Sequence, residues 1–207
     1  MNINYVINLL KYKSRILKMY YSDKELRDIG FEHVGKNNKI SKLSKFYSIE
    51  GSKLGDNNRI DDFSLLKGKV IIENYVHIAA FCLFSGVGGK IEINSYCGFS
   101  SHCSVWTASE DFINPTLTSP SINKHYSKFK TGNIYFDESV KVGNSCCFLP
   151  GIKIGFGVSI SANTMINNSV KDGAVIGPKN RTFKIFGYRD INSIKKLKFQ
   201  FENQSDS

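Results

Sequence analysis

The sequence predicts an all-β solenoid of short parallel strands with helices at its ends. Three observations carry that prediction. Large apolar residues recur at every sixth position: Leu54, Ile60, Leu66, Ile72, Ile78 and Phe84. The register slips by three, resumes at Ile93, Phe99 and Val105, and returns at Val142, Phe148, Ile154, Ile160 and Ile166. Neither a 3.6-residue helix nor a two-residue alternation produces this spacing. A solenoid does, because each apolar side chain points inward and stacks on its equivalent one coil below. Second, the residue after the apolar one is often Gly, Asp, Glu or Ala, as at Gly55, Asp61, Glu73, Ala79, Gly143 and Gly155. Third, the residue four places after it is small or β-branched. Ser64, Val70, Val76, Cys82, Cys97, Cys103, Ser109, Cys146, Val158, Thr164 and Val170 follow this rule, as a tight corner with a side chain packed inside it requires.

The elements follow in order. Val6, Leu10, Lys13, Leu17 and Tyr20 fall at helical spacing and predict a basic amphipathic helix. Ser22 with Glu25 forms a capping box and Gly30 a stop, which predicts a second helix. These occupy an N-terminal segment, residues 1–36. The solenoid spans 37–178, interrupted at about 107–133 by a stretch holding Asn114, Pro115 and Pro120. Long insertions in a solenoid map to one face, often the binding face. In the last segment, 179–207, Asp190 caps a short helix reaching Phe199, and the polar tail after it is expected to be disordered.

A chain of 207 residues suits one domain with small appendages. Its net charge of +10 favours anionic partners. That charge is spread over both termini and the insertion and matches no nucleic-acid module, so nucleic acid is not expected. The first residues lack a signal-peptide pattern, and no stretch is long and apolar enough to span a bilayer. The cysteines number five, with no Cys-x-x-Cys pair. Four of them, Cys82, Cys97, Cys103 and Cys146, take the corner position and read as packing. A reducing cytoplasm is expected. The basic N-terminal helix reads either as a foot on the inner membrane face or, preferably, as a helix packed on the solenoid base or a neighbouring subunit.

The segments "IGFGVS", "ISANTM" and "VGNSCC" resemble the hexapeptide-repeat acyltransferase family. The resemblance implies a left-handed parallel β-helix, which the periodicity does not. It further implies acetyl-CoA as cosubstrate and a homotrimer with active sites between subunits. The sequence carries no zinc-ligand spacing, so no metal is expected. A narrower resemblance rests on "NYVHIAAFCLFSG", "SSHCSVWTASEDF" and "NPTL", which look like the galactoside or capsule O-acetyltransferase branch. The implied function is acetyl transfer to a sugar hydroxyl of a surface polysaccharide or its precursor. N-acetylation of a nucleotide-linked amino sugar and a non-catalytic scaffold are the alternatives.

Such transfer needs a base, and histidine titrates in the right range. His33 lies in a polar linker and His125 in the insertion. His102 is expected at mid-edge and His77 outward at a corner. His77 is the chosen base. The place where better-known relatives carry their histidine holds Glu110 and Asp111, and Asp111 of a neighbouring subunit is expected to orient His77. Asp61 and Asp62, one coil below, are alternative partners or sugar ligands. Ser109, Asn114 and His102 complete the acceptor side, while Trp106 reads as packing. The family's CoA groove maps to Ser161, Ala162 and Asn163. Its closing segment maps to "GPKNR", with Lys179 and Arg181 meeting phosphates.

Overall fold

The computed structural model describes residues 19–119, 121–180 and 182–204. Over them the chain is a left-handed parallel β-helix of triangular coils. The strands His33–Val34, Lys39–Ile40 and Lys45–Tyr47 are the three sides of the first coil. Each pairs in parallel with its equivalent in the second: Val34 with Leu54, Ile40 with Ile60, Phe46 with Leu66. Stacking continues upward, and one apolar column runs Ile40, Ile60, Ile78, Phe99, Val142, Ile160, Ile176. Most strands are two residues long because a side needs only one outward and one inward residue before the chain turns. His33 therefore belongs to the first strand rather than to a linker.

The widest rungs fill the middle of the prism. Phe84, Phe99, Phe136 and Phe148 are fully buried and meet edge to face at 4.9–5.1 Å. Each such contact adds about 0.5–1.5 kcal/mol beyond the area it buries.

The corners explain the small residues. Ser64 donates its hydroxyl to the Ala79 carbonyl at 3.0 Å. Directly above, Cys82, Cys103 and Cys146 direct their thiols at the carbonyls of Ser100, Gly143 and Ser161 at 3.3, 3.2 and 3.2 Å. A larger side chain would not fit, and a bare carbonyl would lose its partner. The outer residue of this corner takes left-handed backbone at Phe63, Phe81, His102, Ser145 and Asn163. His102 is thus a corner residue, not a mid-edge one; it stacks on Phe81, which stacks on Phe63.

The slip of three has a local cause. Gly68 pairs with Gly86 and Val70 with Ile91, so the upper strand carries the surplus residues as a bulge around Val87–Gly89. A side chain on Gly88 would strike the Thr107 carbonyl and the Ala108 methyl. The bulge therefore makes room where the insertion leaves the coil. The chain departs after Trp106 and pairs Ala108–Glu110 antiparallel with Phe129–Thr131. It then rejoins the prism at Ile134–Phe136. Ser109 sits in this hairpin base, paired with Lys130, and not at a packed corner.

Both ends are capped. Helix α1, Asp23–Ile29, begins at the Ser22–Glu25 capping box, ends at Gly30, and buries Leu26 against the first coil. The basic helix expected before it falls on residues outside those described, apart from Tyr20, which instead bridges to Ser41. At the other end Thr182–Tyr188 folds back antiparallel on Ala174–Lys179. Helix α2, Ile191–Gln204, follows. Asp190 caps it by accepting from the amides of Asn192 and Ser193. The helix runs past Phe199, so Glu202 to Gln204 are helical rather than tail. No helix among the described residues is long and apolar enough to cross a membrane.

Candidate functional site

His77 stands on a flat side of the prism and not at a corner. It is the outward residue of the strand His77–Ile78, with Arg59 below it in register and Gly98 above. Its Nε2 lies 2.8 Å from Oδ2 of Asp61, and the other Asp61 oxygen accepts from Arg59 Nε at 2.6 Å. Partial burial pushes the Asp61 carboxyl up, but hydrogen bonds from His77 and Arg59 outweigh it and hold the group below the ordinary range. Asp61 is therefore an anion, able to stabilise a protonated imidazole and fix its ring. His77 lines a groove of about 550 Å³ together with Gly98, Phe99, Ser100, Ser101 and Lys141.

The acidic start of the insertion is elsewhere. Asp111 is buried and closes a turn, accepting from the amides of Ile113 and Asn114 and from Asn114 Nδ2. These bonds, the Asn114 side chain first, lower its carboxyl to about 2. Lys128 approaches it at 3.9 Å. Glu110 accepts from Thr118 at 2.6 Å. A hollow of about 370 Å³ lies here, lined by residues 109–113 with Lys130, Leu149 and Pro150. It shares no residue with the His77 groove, so within one chain Asp61, and not Asp111, is the partner of His77.

The other expected residues are spread over several places. Asp62 turns down one coil, where Ser41 donates to it at 2.5 Å. It does not reach His77. Asn114 serves the Asp111 turn. Ser161, Ala162 and Asn163 form the corner above the groove, and the Ser161 carbonyl is held from inside by Cys146 and Thr164. A side chain on Gly143 would collide with the Ala162 amide, so the coils stack there without relief. Lys179 is the exposed last residue of a mostly buried strand, and Arg181 lies outside the described residues. His125 sits on a 3-10 turn, Lys124–Tyr126, within the insertion. Among the described residues no group of His, Cys, Asp and Glu could hold a metal.

Sequence reasoning passed over Arg59, Gly98 and Lys141. The signal was present: each immediately precedes a rung of the same column, Ile60, Phe99 and Val142, exactly as His77 precedes Ile78. Residues in that position stack outward on one side.

No family model matches the sequence. The chain is similar over nearly its whole described length to AntD, an N-acyltransferase from Bacillus cereus. In its complex with dTDP and 3-hydroxybutyryl-CoA the identity is 34% and the TM-score 0.85, covering 91% of this chain and 99% of that one. It is 29% identical to the dTDP-4-amino-4,6-dideoxy-D-glucose acyltransferase of Escherichia coli over 71% of this chain and 78% of that protein. A hexapeptide-repeat acetyltransferase from Vibrio cholerae shares the fold alone, at 16% identity and a TM-score of 0.52, with 87% of this chain and 90% of that one aligned. These relatives overturn the expectation of hydroxyl acetylation on a polysaccharide, since those alike in sequence are named for an N-acyl transfer and for an amino-sugar nucleotide. With a relative 34% identical and matched almost end to end, the chain belongs to the hexapeptide-repeat, left-handed β-helix acyltransferases.

Proposed function

We propose that the protein transfers an acyl group from acyl-CoA to the amine of a nucleotide-linked amino sugar. The observation that carries this is the near-complete match to AntD, which has been crystallised with CoA and with dTDP-4-amino-4,6-dideoxyglucose. Within the family the same match favours the amino-sugar N-acyltransferases over the galactoside or capsule branch. Both substrates are cytosolic metabolites, so a cytosolic reaction follows from the proposal.

The chemistry needs a nitrogen lone pair at the thioester carbon. The C–N bond forms, the C–S bond breaks, nitrogen gives up one proton and the coenzyme leaves as a thiolate that takes one up. His77 is assigned as the proton acceptor, through the nitrogen not engaged by Asp61. The resulting imidazolium is stabilised by the Asp61 carboxylate. Asp111, with its carboxyl held near 2, is a weak base at neutral pH and suits accepting a hydrogen bond from the neutral amine. Structures of AntD include variants at a serine and at an aspartate ten positions further on. Only Ser101 and Asp111 reproduce that spacing within the small offset that near-complete overlap allows. This supports a place for Ser101, at the edge of the groove, and Asp111 in the same reaction. A homotrimer would bring the two together by setting the insertion of one subunit over the groove of the next. For CoA, the corner Ser161–Asn163 supplies backbone for the pantetheine arm and Lys179 a charge for phosphate.

The test is coenzyme release from acetyl-CoA or 3-hydroxybutyryl-CoA, followed by thiol titration. The acceptors are dTDP-4-amino-4,6-dideoxyglucose and the matching nucleotide sugar with a hydroxyl at that carbon. Release with the amine alone is expected. Release with the hydroxyl sugar alone, or with neither, would overturn the proposal.

A further inference from the structure

We infer that Gly98 is the acyl-size determinant of this enzyme, the reacting end of the donor lying over its bare backbone between His77 and Lys141. The inference rests on the N-acyltransferase reading above.

The argument begins with a glycine that the fold does not require. Most glycines here have a structural reason. A side chain on Gly35, Gly55, Gly143 or Gly155 would strike the backbone or a side chain of the next coil, and Gly51, Gly68 and Gly151 lie at left-handed φ. Gly98 has neither reason. It is a strand residue outside the left-handed region, and a Cβ there would meet nothing within 4 Å. Gly187 is the other such case, and it stands beside the register shift of the terminal hairpin. Glycine inside a strand weakens it and often marks the close approach of a ligand.

Position gives the vacancy its meaning. Gly98 pairs with His77 below and Lys141 above, in a column whose lower outward residues are Lys39 and Arg59. From Lys39 to Lys141 every other outward residue carries a long side chain and Gly98 carries none, while Ser159, one rung higher, is short. With rungs about 4.8 Å apart, the gap between the His77 and Lys141 backbones is roughly 10 Å. That gap is the floor of the 550 Å³ groove. An ammonium on one wall and an imidazole on the other suit a group that carries a polarised carbonyl and needs a proton acceptor beside it, as a thioester under attack does. The residue at 98 then sets how bulky the acyl chain next to that carbonyl can be.

The experiment uses the full chain with Gly98→Ala, Gly98→Val and Gly98→Leu. It compares kcat/KM for acetyl-CoA and 3-hydroxybutyryl-CoA with dTDP-4-amino-4,6-dideoxyglucose, the Kd of free CoA, and the melting temperature. Expected is a loss that grows with the side chain introduced. It should reach at least about tenfold for Gly98→Leu with the bulkiest donor the wild type accepts, one 1.36 kcal/mol step. The CoA Kd should stay within about twofold and melting should not fall. Equal loss on every donor, no loss, or a parallel loss of free CoA binding would each overturn the inference. Absence of turnover in the wild type would instead strike the N-acyltransferase reading, so the two failures are distinguishable.

Discussion

Replacing His77 by alanine should lower kcat by about 10²–10⁴-fold, the usual contribution of a positioned general base. The side chain is half exposed on a flat strand, so the melting temperature should hardly move. Retained turnover in a steady-state assay would remove His77 from the mechanism. Asp61→Asn should cost less, about tenfold, because the ring keeps a hydrogen-bond partner and loses the anion. The loss should fall on kcat rather than KM, because a misplaced base slows the chemical step and leaves substrate binding intact. A loss confined to KM would mean that Asp61 serves only Arg59. Asp111 makes a separate prediction. Its carboxyl is depressed to about 2 in the folded chain, so its contribution is complete above the ordinary carboxylate pKa. It is lost as pH falls through the folded value near 2. The insertion should therefore resist protease at neutral pH and open in strong acid, and Asp111→Asn should increase cleavage there at neutral pH. Of these residues the sequence singled out His77, with Asp111 of a neighbour as its expected partner and Asp61 and Asp62 as alternatives. It did not tell Asp61 from Asp62, because which carboxylate meets the imidazole depends on the turn at the end of the side, where Ser41 draws Asp62 downward.

At the scale of the element, the cysteine corner is the feature most readable from sequence. The position four after each apolar rung demanded a small side chain, and Cys82, Cys97, Cys103 and Cys146 are all buried there. Burial pushes the Cys97 thiol up to about 12, which removes it from nucleophilic chemistry at neutral pH. Cys103→Ser should be nearly neutral, since Ser64 and Thr164 occupy the same column and donate to carbonyls in the same way. Cys103→Leu should cost about 1–3 kcal/mol by overpacking. Thermal unfolding of the pair checks both, and a serine variant as damaged as the leucine one would show that sulfur, not size, is required. The same rule failed at Ser109, because the chain leaves the coil one corner early at Trp106. A six-residue count cannot register that departure; it needs the bulge at Val87–Gly89, visible in sequence only as a slip of three. Handedness too was supplied by family resemblance, since a repeat length is the same in either hand.

At the scale of the whole molecule, the two ends are closed and the sides are open. Leu26 of α1 plugs the first coil, and the strand Thr182–Tyr188 covers the last. Both elements stand where a further coil would otherwise stack. For lateral association Leu43, Phe63 and Phe81 are exposed along one edge. Lateral closure is what the proposed site requires, because His77 and Asp111 line separate hollows in a single chain. If a trimer unites them, every site takes His77 from one subunit and Asp111 from its neighbour. Two inactive proteins should then complement. His77→Ala and Asp111→Asn subunits, unfolded together and refolded at equal amounts, would place an intact His77 beside an intact neighbouring Asp111 in about a quarter of the sites of a cyclic trimer. Activity should return to roughly that fraction of wild type, while each variant refolded alone stays inactive. No recovery from a mixture shown by mass to be trimeric would mean that each subunit completes its own site. A monomeric mass for the wild type would leave the His77–Asp61 pair to act without Asp111.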